Sequence, residues 1–136
     1  MLQRDFIVEM ATRFGDALAR WLRPAVLEGD LESIGGIEAS LAELMDLDSA
    51  TVLKLDPASL VTMLELSGVG DSVAGYVSYA LLRLGDAYDA AGDRATADIR
   101  RRQAQAVAEA FGATLGAVPE EYKELERAIA LERGEE

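Results

Sequence analysis

Two residue types with catalytic and metal-binding chemistry are missing from this 136-residue sequence, which contains no cysteine and no histidine. Their absence excludes disulfide bonds, zinc sites built from Cys or His ligands, thiol nucleophiles and acid–base mechanisms that depend on imidazole. Carboxylates are abundant, but a catalytic pair needs an apolar cleft that separates the pKa values of its members, and no segment indicates one. We therefore predict a protein that is not an enzyme and that uses no metal and no cofactor.

Positive charge is also scarce. The chain has 13 Lys and Arg residues against 25 Asp and Glu residues, for a formal net charge of −12. Lys54 is the sole cation between Glu28 and Asp71, a stretch that is rich in acidic residues. A negative field of this kind repels nucleic-acid phosphates and anionic lipid headgroups. We therefore do not expect nucleic acid or a membrane as the partner.

Long apolar runs are missing as well. No run approaches the roughly 18 apolar residues that a transmembrane helix requires. The opening residues are charged from Arg4 onward, unlike a secretory signal peptide. These features predict a soluble, cytoplasmic protein.

Apolar residues make up half of the chain and recur at helical spacing, without the alternation typical of strands. We predict an all-α fold with about seven helices in a single domain, residues 1–136. Pro24 either ends or kinks the first helix, and Gly35-Gly36 either breaks the second helix or lets another helix approach closely. The predicted order is a hairpin over 1–46, short connecting helices over 48–67, a hairpin over 71–115 and a capping helix over 119–133.

The second hairpin has the spacing of a tetratricopeptide repeat. Gly85 and Ala97 are small, which would let its two antiparallel helices approach closely. Large residues at Leu81, Leu84 and Tyr88 would fill the space between neighbouring hairpins. Two positions depart from the repeat: Arg101, where a large aromatic residue is usual, and Glu109, where proline is usual.

The start of the chain echoes this pattern. Phe14-Gly15 parallels Leu84-Gly85, and Gly29-Asp30 parallels Gly92-Asp93. The first copy is longer by about two helical turns, around Pro24. The sequence therefore predicts two hairpin units, joined and capped by the remaining helices.

The opening segment adds a family resemblance. It reads Gln3-x-Asp5-Phe6-Ile7-x-x-Met10 and is followed by Phe14-Gly15 and Leu18-Ala19, with Glu28–Glu32 and Gly85–Tyr88 further along. With these segments the chain resembles a family of short, uncharacterised bacterial proteins with tetratricopeptide-like helices. The resemblance implies a stack of antiparallel hairpins and brings no catalytic activity. Tetratricopeptide-like proteins generally bind proteins or peptides on the surface lined by the first helix of each hairpin, so a protein or peptide partner is implied.

The predicted partner site lies on the helix over residues 72–92. Tyr79 falls outside the main apolar stripe of this helix, beside Leu82, Asp86 and Asp89, and we expect these four residues to face a partner. An exposed aromatic ring near carboxylates would suit a basic, partly apolar peptide. Two alternatives stay open: Tyr79 packs against a neighbouring helix, or the long apolar first helix drives self-association as a homodimer.

A loop between two helices gives an alternative function, nucleic-acid binding. Residues 66–74 match the Leu-x-Gly-Val-Gly-x-x-x-Ala core of a helix-hairpin-helix motif, in which loop amides hold a phosphate. Asp71 and Ser72 stand where such motifs generally carry Lys or Arg. The other interpretation of Gly68-Val69-Gly70 is a tight turn between packed helices.

The sole basic run is Arg100-Arg101-Arg102. Its members span more than half of the helix circumference, so they cannot all face one ligand. We expect a solvated face that pairs with nearby carboxylates, namely Asp89, Asp93 and Asp98.

Overall fold

The fold is all-α. The computed structural model describes residues 2–68 and 70–134, with the side chains of all of these except 2–5 and 49; Met1, Val69 and residues 135–136 lie outside the described part. That part contains seven α-helices, a 3₁₀ turn and no strand, which confirms the predicted fold class and number of helices. The elements are α1 (Leu2–Glu28), α2 (Leu31–Met45), α3 (Ser49–Val52), α4 (Pro57–Ser67), α5 (Gly70–Ala90), α6 (Arg94–Phe111), the 3₁₀ turn (Glu120–Tyr122) and α7 (Lys123–Arg133).

The structure decides between the two alternatives at Pro24 and ends α6 earlier than the sequence-based prediction does. α1 does not end at Pro24 but continues to Glu28. Proline removes one backbone hydrogen bond, yet Ala25 and Val26 directly after it are buried, and this packing favours continuation of the helix. α6 ends at Phe111 and not near residue 115, because Gly112 adopts a left-handed conformation (φ +72°) and closes the helix.

The two similar segments Gly29-Asp30 and Gly92-Asp93 form the same kind of corner between helices. Gly29 (φ +65°) follows α1 and Gly92 (φ +85°) follows α5, both in the left-handed region that favours glycine. The next residue caps the following helix: Asp30 accepts a hydrogen bond from the Ser33 amide and Asp93 accepts one from the Thr96 amide, each at 3.1 Å. The echo seen in the sequence therefore corresponds to two corners with matching geometry.

Glycines set how closely the helices of each pair approach. Gly36 does not break α2, which is continuous; a Cβ atom there would lie 2.5 Å from the Trp21 ring of α1. Gly85 of α5 faces α6, where a Cβ atom would lie 3.3 Å from the Ala97 carbonyl oxygen. Close approach is thus the correct alternative for Gly36. The tetratricopeptide-like stacking of the two hairpins stays a prediction.

α7 packs along α1 and also contacts α5. Its start lies near the first half of α1, where Tyr122 meets Ala11, and its end lies beside Arg23, which pairs with Glu132. On the other side, Glu126 pairs with Arg83 of α5. The segment from Tyr122 through α7 therefore contacts both α1 and α5.

The core lies where α1, α2, α4, α5 and α6 meet. The largest fully buried side chains include Phe14, Leu18, Leu22, Ile34, Ile37, Leu41, Met45, Leu60, Leu64, Leu81 and Leu84.

No helix in the described part of the chain combines the length and apolar character needed to cross a bilayer.

A buried polar network interrupts this core and corrects one prediction. Arg100 is 8% exposed, so the expectation that the arginine run forms a solvated face is wrong for this residue. Its guanidinium lies 2.9 Å from the Glu38 carboxylate of α2 and donates a hydrogen bond of 2.9 Å to the Leu53 carbonyl. Gln103, also buried, donates to the same carbonyl. The backbone carbonyl of Leu53, just after α3, therefore accepts hydrogen bonds from two buried side chains of α6. The pattern of polar residues along α6 does not indicate this contact.

Candidate partner-binding site

Tyr79 is not an exposed anchor. Its side chain is only 4% exposed and stacks on the ring of Tyr122, with 5.6 Å between ring centroids. Its hydroxyl donates a hydrogen bond to Glu126 of α7. Burial and the neighbouring Glu126 carboxylate raise the pKa of the Tyr79 hydroxyl above its usual value. The alternative of packing against a neighbouring helix is the one observed.

Three of the four predicted residues still share one depression. Tyr79, Leu82 and Asp86 line a hollow of about 290 Å³ that is closed by Val118 and Glu126. Asp89 is not among the lining residues. The structure therefore brings most of the predicted site together, but as a small hollow beneath the C-terminal segment.

The acidic residues of this hollow are already paired. Arg83 lies 2.8 Å from Asp86, and its Nε lies 2.9 Å from Glu126, close enough for an ion pair although its N–H is not aligned for a hydrogen bond. Arg101 contacts both Asp86 and Asp89, and the hydrogen bond to Asp89 raises the pKa of the guanidinium. Because these charges are compensated within the molecule, the hollow offers little attraction for a basic peptide.

A larger groove lies between α1 and the segment that begins α7. It has a volume of about 460 Å³, and we call it the α1–α7 groove. Its floor is mostly apolar, and Val8 at its edge is 59% exposed. The apolar lining residues are Ile7, Val8, Ala11, Gly15, Ala19, Tyr76, Tyr122 and Leu125.

Tyr122 forms one wall of the α1–α7 groove. Its hydroxyl donates a hydrogen bond of 3.0 Å to the Ala11 carbonyl, and its ring meets Phe14 edge-on at 6.1 Å between centroids. Gly15 makes room for it, because a Cβ atom at that position would lie 3.1 Å from the ring. Burial raises the pKa of the Tyr122 hydroxyl above its usual value.

The rim of the α1–α7 groove is acidic. Asp16, Glu121 and Glu124 are among its lining residues, and no Lys or Arg lines it among the side chains that the structure describes. Tyr76 donates a hydrogen bond to Glu121, and burial together with this carboxylate raises the pKa of Tyr76 to about 12. Like an ordinary tyrosine, Tyr76 is a neutral hydrogen-bond donor near pH 7.

The α1–α7 groove is not among the sites predicted from the sequence. Its signal is a second apolar stripe on α1: Val8, Ala11, Gly15 and Ala19 recur every three or four residues, beside the stripe that enters the core. The apolar character of α1 was noted, but small residues score weakly in a hydrophobic pattern. The facing wall comes from Tyr122, more than 100 residues later in the chain.

The glycine loop predicted as a nucleic-acid site has an acidic setting. Gly68 ends α4 in a left-handed conformation (φ +80°) that favours glycine. A Cβ atom on Gly70 would lie 2.6 Å from the Phe111 ring, so packing requires glycine there. Val69 lies outside the described residues. The adjoining hollow is lined by Glu65 and Asp71, and its described lining residues include no Lys or Arg. This arrangement favours the interpretation of a turn between packed helices.

Comparison with known proteins identifies no relative. No family model matches the sequence, and neither the curated proteins nor the solved structures contain a match.

Among the described residues, no group of three or more carboxylates is placed to hold a metal ion. Any function must therefore be argued from the surface itself.

Proposed function

We propose that this protein is a non-catalytic interaction module that binds a protein or peptide partner in the α1–α7 groove. The observation that carries the proposal is the mostly apolar lining of this groove, which reaches the surface of α1 at Val8, 59% exposed. Exposed apolar surface bounded by polar residues is typical of sites that bind other macromolecules.

The groove suits a macromolecule better than a small substrate. Small-molecule sites generally enclose the ligand and direct a few polar groups at it. Here the carboxylates of Asp16, Glu121 and Glu124 belong to the rim, whereas the floor is apolar. The sequence resemblance to tetratricopeptide-like proteins supports the same proposal, because it implies binding on the first helix of each hairpin, and α1 is such a helix.

A substitution at the edge of the groove tests the proposal. We expect Val8→Asp to abolish capture of the protein partner that the wild type retains from lysate at moderate salt, because the change places a charge against the apolar contact. Leu66→Asp is the matched control, since Leu66 is 77% exposed and lies on α4, outside the groove. Circular dichroism should show equal helicity for all three proteins. Capture that survives Val8→Asp, or is lost equally with Leu66→Asp, would contradict the assignment.

A further inference from the structure

We propose that the occupant of the α1–α7 groove is a positively charged amphipathic helix of the partner protein. The inference rests on the proposed function and adds the chemistry of the ligand. Its basis is the combination of a mostly apolar floor with a rim that carries carboxylates and, among the side chains described from residue 6 onward, no lining cation.

The arginines of α1 whose side chains the structure describes, Arg13, Arg20 and Arg23, do not neutralise this rim. Arg13 pairs with Glu9 and with Glu43 of α2, and Arg23 pairs with Glu132. Arg20 lies over the Trp21 ring at 5.0 Å from its centroid. In contrast to the hollow around Asp86, the groove therefore keeps its negative field available for a partner. Lys or Arg side chains bordering the apolar face of a ligand would lie opposite Asp16 and Glu124.

The shape of the floor favours a helix over an extended strand. From Val8 to Ala19 the floor follows about 16 Å of α1, which corresponds to about three turns of a partner helix. Val8 and Ala19 are exposed on this side of α1 and would meet apolar side chains of the partner helix at i, i+3/i+4 and i+7 spacing. A peptide that binds by adding a β-strand would need the unpaired backbone groups of a sheet edge, and the described part of the chain contains no strand.

A second copy of this chain fits the groove less well. Each copy carries a net charge of −12 and would bring the same acidic rim to the contact. In a two-fold dimer the same patch meets itself, so Asp16 and Glu124 would face carboxylates and not cations. Charge complementarity therefore selects a cationic partner.

Synthetic peptides provide the test. The probe is an amphipathic helix of about 14 residues with Leu and Ala on one face and Lys on the other. One control replaces every Lys by Glu, and a second keeps the composition but scrambles the order. Affinities for the full-length protein are measured by isothermal titration calorimetry at low and moderate salt. We expect binding of the Lys helix alone, weakened by salt.

Charge reversal on the rim locates the binding. The double variant Asp16→Lys/Glu124→Lys should weaken binding of the Lys helix by about tenfold, since each reversal turns an attraction into a repulsion. Glu65→Lys is the matched control and should leave the affinity within about twofold, because Glu65 lies on α4 outside the groove.

Several outcomes would overturn the inference: no binding of the Lys helix, equal binding of the Glu or scrambled peptide, or affinity unchanged by the rim reversals. A dimer detected by light scattering and dissociated by Val8→Asp would make a second copy the occupant instead. If the natural partner is lost with Val8→Asp while the Lys helix fails to bind, the proposed function stands and only the ligand class is wrong.

Discussion

At the scale of single residues, Gly35 and Gly36 are neighbours in α2 with different surroundings. A Cβ atom on Gly36 would lie 2.5 Å from the Trp21 ring, whereas a Cβ atom on Gly35 would meet nothing within 4 Å. Both positions carry the same backbone-entropy cost of glycine within a helix. Only one of them is therefore required for packing.

These two glycines give a matched pair of substitutions. We expect Gly35→Ala to raise the free energy of unfolding by about 1 kcal/mol, through helix propensity alone. Gly36→Ala should lower it by about 1–2 kcal/mol, because displacement of the Trp21 ring outweighs the same gain. Urea denaturation followed by circular dichroism measures both values. Equal effects of the two substitutions would show that Gly36 does not set the spacing of α1 and α2.

Tyr79 shows why the candidate site could be predicted only in part. The sequence pattern predicted that Tyr79 lies beside Leu82 and Asp86 on an exposed face, and in the structure these three residues line one hollow in which Tyr79 is buried. It did not show that Tyr122 and Glu126 would cover Tyr79, because both belong to a segment more than 40 residues later. Helical periodicity reports which residues share a face, but not which distant element covers that face.

At the scale of elements, Arg100 ties α6 to α2 and to the chain that follows α3. Its guanidinium pairs with Glu38, donates to the Leu53 carbonyl and lies 5.5 Å from the centre of the Tyr88 ring. Removing it would leave a partly buried carboxylate and a backbone acceptor without this donor. The stability of the helix arrangement therefore depends on a residue that a sequence pattern assigns to the surface.

Arg102 provides the control for this dependence. We expect Arg100→Leu to lower the free energy of unfolding by about 2–3 kcal/mol, less than for a fully buried pair because Glu38 keeps some contact with solvent. Arg102→Leu should change it by no more than about 0.5 kcal/mol, since Arg102 is exposed. Chemical denaturation distinguishes the two. A loss of similar size for both variants would mean that the buried network contributes nothing specific.

The two Gly-Asp corners show what sequence analysis achieved at this scale. A left-handed glycine followed by a capping aspartate is a local device, fixed by a few adjacent residues, and its repetition at residues 29–30 and 92–93 could be predicted. The choice between an end and a continuation of α1 at Pro24 could not, because it depends on burial of Ala25 and Val26 by other elements.

At the scale of the whole molecule, the dominant property is the net charge of −12. Some acidic residues are paired, as Asp86 and Asp89 are with Arg101, but the excess of negative charge opposes a compact state. Salt screens exposed charges that lie more than about 8–10 Å apart.

Added salt should therefore stabilise this protein. We expect an increase from about 0.01 M to about 0.5 M NaCl to raise Tm by about 4 °C, equivalent to about 1 kcal/mol of relieved self-repulsion. Thermal melts followed by circular dichroism measure the shift, and a matched increase in sucrose controls for effects unrelated to charge. A constant or falling Tm would mean that the ion pairs outweigh the repulsion.

The hydrogen bond from Tyr122 to Ala11 also has a consequence for the order of events during synthesis. α1 leaves the ribosome early, but the facing wall of the α1–α7 groove does not exist until residues 120–125 have been added. A nascent chain can form the α1–α2 and α5–α6 hairpins and still have no complete binding surface. Recognition of a partner would then be confined to chains whose translation has passed this segment, so unfinished copies would not compete for it.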